Sequence, residues 1–289
     1  MTASAPTLPM RSMRDGTRLA QRRWDPDGTA HGSVRGTVLI VHGLGEHSGR
    51  YEHVAAFLTA LGWHVAAYDL RGHGHSEGPR GAISHTDDHL TDLTTVIDAV
   101  RSSHLTPDPC LLLLGHSMGG AFAAQFAARG IRPIDGLILS SPALDPGLTS
   151  FQRIQLAIGT ALTPGLALSN QLAVDKLSHD PAVVAAYQAD PLVHDRVTPR
   201  LARAIVDAGA EAIDQAPQWT VPTLLLWAGD DRNVAPAGSA RFAARAPQGV
   251  VTATVFPDWF HEIFNEPERE QVFAALDRWL TRFAPIAHA

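Results

Sequence analysis

Cysteine is almost missing from this chain. Cys110 is the single one among 289 residues, so no intrachain disulfide can form, and the composition fits a reducing compartment. Cys110 opens an apolar run and reads as a buried thiol without a task of its own. Positive charge is also in short supply. There are 23 Lys and Arg against 29 Asp and Glu, a net charge of −6, with no basic run or stripe. That excludes the electrostatic footprint of a nucleic-acid binder, and no nucleic-acid partner is expected. The first ten residues contain no continuous apolar stretch, so no secretory signal is expected and the protein is read as cytoplasmic. Internal repeats and low-complexity tracts are lacking too.

A charge-free stretch does occur at residues 154–174, long enough to raise the question of a membrane span. Gln155, Gly159, Pro164, Gly165, Ser169, Asn170 and Gln171 interrupt it, which argues against a spanning helix. Phe151, Ile154, Ile158 and Leu162 recur at helical spacing and would form one apolar face. Two readings stand: a lid that touches a membrane surface, or a helix that packs on the core.

What is present is ample core material. Hydrophobic residues make up 45% of the chain. Short apolar runs at 37–42, 63–69, 110–115 and 136–141 alternate with helical patterns at 49–61, 89–101 and 118–129. Strand-like runs that are apolar on both faces suit a buried parallel sheet, and the alternation gives an α/β class. The rhythm breaks over 143–218, which reads as helical with no clear strand. It resumes with strands at 222–228 and 250–256 and a helix at 267–283. The expected organisation is a core in two parts, 13–142 and 219–285, with a helical cap inserted at 143–218.

The strongest chemical signal is Gly115-His116-Ser117-Met118-Gly119-Gly120, placed between an apolar strand and a helix. A G-x-S-x-G turn in that context forms a nucleophile elbow, with the serine on a strained bend at the helix N-terminus. The context points to an α/β-hydrolase fold: a mostly parallel central sheet flanked by helices. A serine hydroxyl needs a base, and the base needs an orienting carboxylate. In the α/β-hydrolase order the acid follows the serine and the histidine comes last. Asp230 and Asp231 follow the 222–228 strand, and Asp231 is preferred because Asp231-Arg232-Asn233-Val234 suits the acid. His261 follows the 250–256 strand; after Asp231 its one rival is His288. The oxyanion hole needs two backbone N–H groups. Met118 supplies one, and Leu44, within His42-Gly43-Leu44-Gly45, the other.

Residues 42–78, the GHSMGG turn, YQADPLV at 187–193 and HEIFNEPE at 261–268 resemble the monoglyceride lipase family across residues 13–283. The resemblance implies hydrolysis of monoacylglycerols to glycerol and a fatty acid, with no cofactor and no metal. It implies Ser117, Asp231 and His261 as a triad, with Leu44 and Met118 as oxyanion donors. Glu46, Arg50 and Tyr187 match positions near the glycerol end of the family's pocket. A broader carboxylesterase or lysophospholipase is the alternative, because one triad serves any ester its pocket admits. A haloalkane dehalogenase would need an aspartate in place of Ser117. His73 and His75 have metal-ligand spacing, but they lie in a loop that this family carries without a metal. His85 and His89 read as loop and helix-cap residues. Trp259 and Phe260 either line a pocket or anchor the histidine loop.

Overall fold

The computed structural model describes residues 8–26, 34–102 and 110–283. Most of the N-terminal stretch read for a signal, and His288, lie outside these residues, as do residues 284–285 of the expected second core part.

Among the described residues eight strands form one sheet: β1 (Met10–Ser12), β2 (Arg18–Trp24), β3 (Thr37–Val41), β4 (His64–Tyr68), β5 (Leu111–His116), β6 (Gly136–Ser140), β9 (Thr223–Ala228) and β10 (Val251–Phe256). Their spatial order is β1-β2-β4-β3-β5-β6-β9-β10, parallel from β4 to β10, with β1 and β2 antiparallel at one edge. The central strands β3, β5 and β6 are buried along their whole length, as runs apolar on both faces require. Strands β1 and β2 lie before residue 37, where the sequence offers no such run. Arg18, Gln21, Arg22 and Arg23 in β2 mark a half-exposed edge, and polar edges carry a weak signal.

Helices cover both faces. Helices α1 (Glu52–Ala60) and α8 (Glu270–Leu280) lie on one side, around Val54, Leu58, Phe273, Leu276 and Trp279. On the other side lie α2 (Asp88–Ser102), α3 (Ser117–Ala128), α6 (Pro199–Gln215) and α7 (Pro236–Arg245), around Leu93, Phe122, Phe126, Ala208 and Phe242. Helix α7 was not evident from sequence, since its segment PAGSARFAAR buries little beyond Gly238, Ser239 and Phe242.

The insertion between β6 and β9 contains α4 (Ser150–Leu162), α5 (Pro181–Ala189), α6 and two two-residue strands, β7 (Leu168–Ser169) and β8 (Arg196–Val197). This corrects the strandless reading: β7 and β8 pair antiparallel as a small clasp. Its parts differ in burial. Helix α6 packs Leu201, Ala204, Ala208 and Ala212 into the main core. Helix α4 buries no residue. The Thr149–Gln152 capping box closes its N-terminus, and Gly159 and Thr160 lean on Pro199 of α6. Phe151, Ile154, Ile158 and Leu162 are 68%, 58%, 54% and 76% exposed, so this face does not pack on the core. Among the described residues no helix is long and apolar enough to cross a membrane.

Cys110 stands just before β5 and is half-buried. Burial, reinforced by the charge of Asp135, pushes its thiol up to about 12, where it holds its proton.

Candidate active site

The elbow follows from two close approaches. A side chain at Gly115 would meet the backbone of Gly119 and Gly120, and one at Gly119 would meet the carbonyls of Val41 and His42. Only glycine lets β5 turn so sharply into α3. Ser117, between them, has φ 52°, the left-handed region that L residues avoid. That strain lifts its side chain clear of the sheet at the N-terminal end of α3.

Three side chains distant in sequence meet here. His261 Nε2 lies 2.9 Å from Ser117 Oγ, and His261 Nδ1 lies 2.6 Å from Asp231 Oδ2. The other oxygen, Asp231 Oδ1, accepts the N–H groups of Asn233 and Val234 at 2.8 and 3.0 Å. Burial would raise the Asp231 carboxyl. The charge and hydrogen bond of His261, together with those N–H groups, outweigh it and hold the group below the ordinary carboxylate value. Burial would likewise push His261 down, but Asp231 outweighs it and the imidazole is raised. His261 is therefore a base of increased strength, with Nε2 facing the hydroxyl.

Leu44 sits in the turn after β3 and Met118 in the first turn of α3. Among the described residues neither backbone N–H has a hydrogen-bond partner. The Gly43 N–H is taken by Glu46 Oε1 at 2.6 Å. Gly43, Leu44, Glu46, His116, Ser117, Leu172, Leu177, Tyr187, His261 and Glu262 line the cavity at Ser117. Its free volume is about 20 Å³, room for roughly one water and not for an acyl chain.

The insertion closes this cavity. Leu172 and Leu177 come from a segment bound to the core by Ala173 N–H to Asn233 Oδ1 at 2.8 Å, and by Glu262 N–H to the Leu177 carbonyl at 2.8 Å. On the opposite side His194 N–H donates to the Gly45 carbonyl at 2.9 Å, and His47 Nε2 meets Asp190 at 2.9 Å.

Tyr187 lines the cavity, and among the described residues its hydroxyl makes no hydrogen bond. Arg50 lies one layer further back. Its guanidinium bonds Glu46 at 2.8 Å and Glu262 at 2.6 and 2.7 Å, and stacks 4.8 Å from the centre of the Tyr187 ring. Burial would raise Glu46, yet Arg50, His116, His42 and the Gly43 N–H hold it down to about 2. Glu262 escaped the sequence reading. A carboxylate beside the candidate histidine was visible, but its partner lies 212 residues away.

Phe260 is buried and stacks on His179 at 3.6 Å, and Trp259 stacks on Phe256 at 4.4 Å. Neither lines the cavity at Ser117; they anchor the loop. His73 is buried between the rings of His42 and His194. Among the described residues no group of three or more His, Cys, Asp or Glu side chains is arranged to hold a metal. His89, expected as a helix-cap residue, is buried in the first turn of α2, stacked on Phe122 at 4.4 Å.

A serine at a strand-to-helix elbow, faced by a histidine and a carboxylate from later strand ends of a mostly parallel sheet, defines an α/β-hydrolase. Residues 32–268 match the family described as serine aminopeptidase, S33. The monoacylglycerol lipase of Mycolicibacterium smegmatis is 35% identical over 92% of this chain and 93% of its own length. Phospholipase YtpA of Bacillus subtilis is 32% identical over 82% of this chain and 92% of its own. The crystal structure of Paleococcus ferrophilus monoacylglycerol lipase superposes with a TM-score of 0.80 at 34% identity, covering 92% of this chain and 99% of that one. The chain belongs to the monoglyceride lipase family of the α/β-hydrolases and is a carboxylic ester hydrolase.

Proposed function

We propose that the chain hydrolyses monoacylglycerols through an acyl-enzyme on Ser117. The observation that carries this reading is the Asp231–His261–Ser117 relay, at 2.6 and 2.9 Å, beside two unpartnered N–H groups. Ser117 Oγ attacks the ester carbonyl while His261 Nε2 takes its proton, and Asp231 holds the imidazole and stabilises its charge. The alkoxide oxygen of the tetrahedral intermediate rests on Leu44 and Met118 N–H. It collapses to the acyl-enzyme, and His261 gives its proton to the departing glycerol. Water activated by His261 then releases the fatty acid and frees Ser117. This chemistry needs no cofactor.

The substrate class rests on the relatives and on the free Tyr187 hydroxyl in the cavity wall, which can bond a glycerol hydroxyl. A site built around such a bond rejects an analogue that lacks the hydroxyl. The decisive measurement compares monoolein, diolein, triolein and lysophosphatidylcholine. Monoolein is expected to lead. Turnover of triolein at the same rate would overturn the substrate assignment, and a lead for the lysolipid would favour the phospholipase reading that YtpA suggests.

Residues 143–218 act as the cap in this reading. The cavity at Ser117 holds about one water, and Leu172 and Leu177 of the insertion form part of its wall, where an acyl chain would have to enter. Helix α6 belongs to the core packing and stays in place, while α4 meets the outside with its apolar face. That face supports a peripheral protein that takes substrate from a membrane surface.

A further inference from the structure

A continuous line of charge joins the two loops that flank Ser117. On one side is the turn that carries the Leu44 N–H. Glu46 closes it, with Oε1 accepting the Gly43 N–H at 2.6 Å and the Tyr51 hydroxyl at 2.7 Å. Glu46 Oε2 accepts Arg50 Nη1 at 2.8 Å. The same guanidinium spans to the histidine loop, where Nη1 and Nη2 bond the two oxygens of Glu262 at 2.6 and 2.7 Å. Glu262 is the residue after His261, and Oε2 also accepts Asn265 Nδ2 at 2.8 Å.

All three charges are shielded, with side chains 5%, 12% and 5% exposed for Glu46, Arg50 and Glu262. Taking three charges out of water is costly, and well-packed apolar residues would stabilise the fold at least as well. What the ions add is geometry. A two-pronged guanidinium–carboxylate bond fixes both separation and plane.

We propose that Glu46, Arg50 and Glu262 form a positioning strut that sets the Leu44 N–H of one loop against His261 of the other, so that both address the same carbon at Ser117. The inference rests on the reading of Ser117 as nucleophile. Oxyanion donors work only when already aimed. A misplacement of about 1 Å, even one that starts away from the chemistry, costs about a hundredfold. Each Glu46 oxygen and both prongs of the Arg50 fork already have protein partners, so the strut acts through Leu44 and His261 even though Glu46 and Glu262 edge the cavity.

The test measures kcat and KM of wild type, Glu262→Gln, Glu46→Gln, Arg50→Lys and Tyr51→Phe. Two substrates are used: monocaprylin, which has a glycerol end, and p-nitrophenyl butyrate, which has none. Rates are expressed per active site counted with a fluorophosphonate. Affinity for a trifluoromethyl ketone, whose adduct places an oxyanion in the hole, is measured alongside. A strut predicts that Glu262→Gln and Tyr51→Phe lower kcat about tenfold on both substrates, with KM unchanged and ketone affinity falling in parallel. The double variant Glu46→Gln/Glu262→Gln should lose less than the product of the single losses, because each breaks the same bridge. If Glu46→Gln fails to fold, Tyr51→Phe and Glu262→Gln carry the test, since each leaves Arg50 bound to Glu46.

A raised KM confined to monocaprylin would overturn the strut and assign these residues to glycerol binding. Unchanged kcat and ketone affinity with a lowered Tm would overturn it as well, leaving a purely stabilising role. If wild type took no label at Ser117, the reading beneath would fail instead, a result separate from any effect of the strut variants.

Discussion

Asp231 and His261 meet at 2.6 Å across the C-terminal ends of the paired strands β9 and β10, with side chains 1% and 4% exposed. Asp230, one residue earlier, turns outward to Arg232 at 2.5 Å and is 41% exposed. Gly229, just before the pair, lies so close to the Pro257 backbone that any side chain there would strike it. Asp231→Asn is expected to lower kcat by about 10⁴, because asparagine favours the wrong tautomer of His261. Asp230→Asn loses only a surface ion pair and should stay within about twofold of wild type. Equal losses in steady-state ester hydrolysis would contradict the placement of Asp231.

Ser117→Ala is expected to remove ester hydrolysis, with a loss on the order of 10⁶ in kcat, and to leave the circular dichroism spectrum unchanged. The backbone strain at φ 52° persists with alanine, so Tm should move little. Activity above a few per cent in a folded variant would remove Ser117 from the mechanism.

The core sheet and the elbow were legible because their signals are local. Strands such as TVLIV at β3 are apolar throughout, and the small residues around Ser117 stand at fixed offsets in one turn. The order Ser117, Asp231, His261 was readable too, and the fold brings the three within hydrogen-bond distance. What was not legible is carried by pairings remote in sequence. Nothing near Arg50 announces Glu262, and nothing in the Ala-rich α6 distinguishes a helix packed in the core from a cap helix. The short clasp of β7 and β8 is two residues per strand, below any periodicity.

Activity should fall on acidification. His261 must be neutral to accept the Ser117 proton, and its imidazole is raised above 6.5. The acid limb of the kcat/KM profile is therefore expected to have its midpoint above pH 6.5. Asp231 supplies most of the upward shift against burial, so the midpoint in Asp231→Asn should move down. A wild-type midpoint below pH 6 would show that burial outweighs Asp231.

Stability should also fall with acid, in a different window. Burial first, with neighbouring positive charge, pushes His89 down to about 3; burial first, with His261 and Arg80 respectively, pushes His116 and His194 down to about 4. The unfolded chain binds protons at these histidines near pH 6.5, whereas the folded chain does not until about pH 4 or below. Stability is thus fully present above 6.5 and drains between 6.5 and 4, by up to about 1.4 kcal/mol per pH unit for each of the buried His89 and His116, and by less for the partly solvated His194. His261, with its raised value, works in the opposite sense: its contribution is present below 6.5 and lost as pH rises through its folded value. Urea midpoints at pH 7, 6 and 5 should decrease in that order. His89→Phe should flatten the slope, because the ring already stacks on Phe122 and neither of its nitrogens has a partner among the described residues. An unchanged slope would show that His89 titrates normally in the folded state.

The α4 face makes the sharpest prediction about where the protein works. Phe151, Ile154, Ile158 and Leu162 stand more than half exposed on one helix, continued by Leu166 and Leu168, which are 53% and 49% exposed. Burying one such side chain fully is worth roughly 1.5–3 kcal/mol, so partial insertion of several can hold a protein at a lipid interface. Charge contributes little. Arg153 leans toward Asp145 at 3.9 Å and Lys176 sits over the Phe260 ring, leaving few cations free to meet anionic lipid. Binding should therefore reach neutral phosphatidylcholine vesicles and change little between low and moderate salt. Ile158→Glu removes apolar area at the centre of the face and adds a charge that must stay in water. Its vesicle partition should fall by more than about tenfold, the equivalent of about 1.4 kcal/mol. Because Ile158 touches neither the core nor the cavity at Ser117, hydrolysis of p-nitrophenyl butyrate should be unaffected, while hydrolysis of monoolein presented in vesicles should drop with the partition. Flotation on a density gradient reads the first quantity and the two assays read the others. Equal flotation of the two proteins, or none by either, would leave the face without a membrane role.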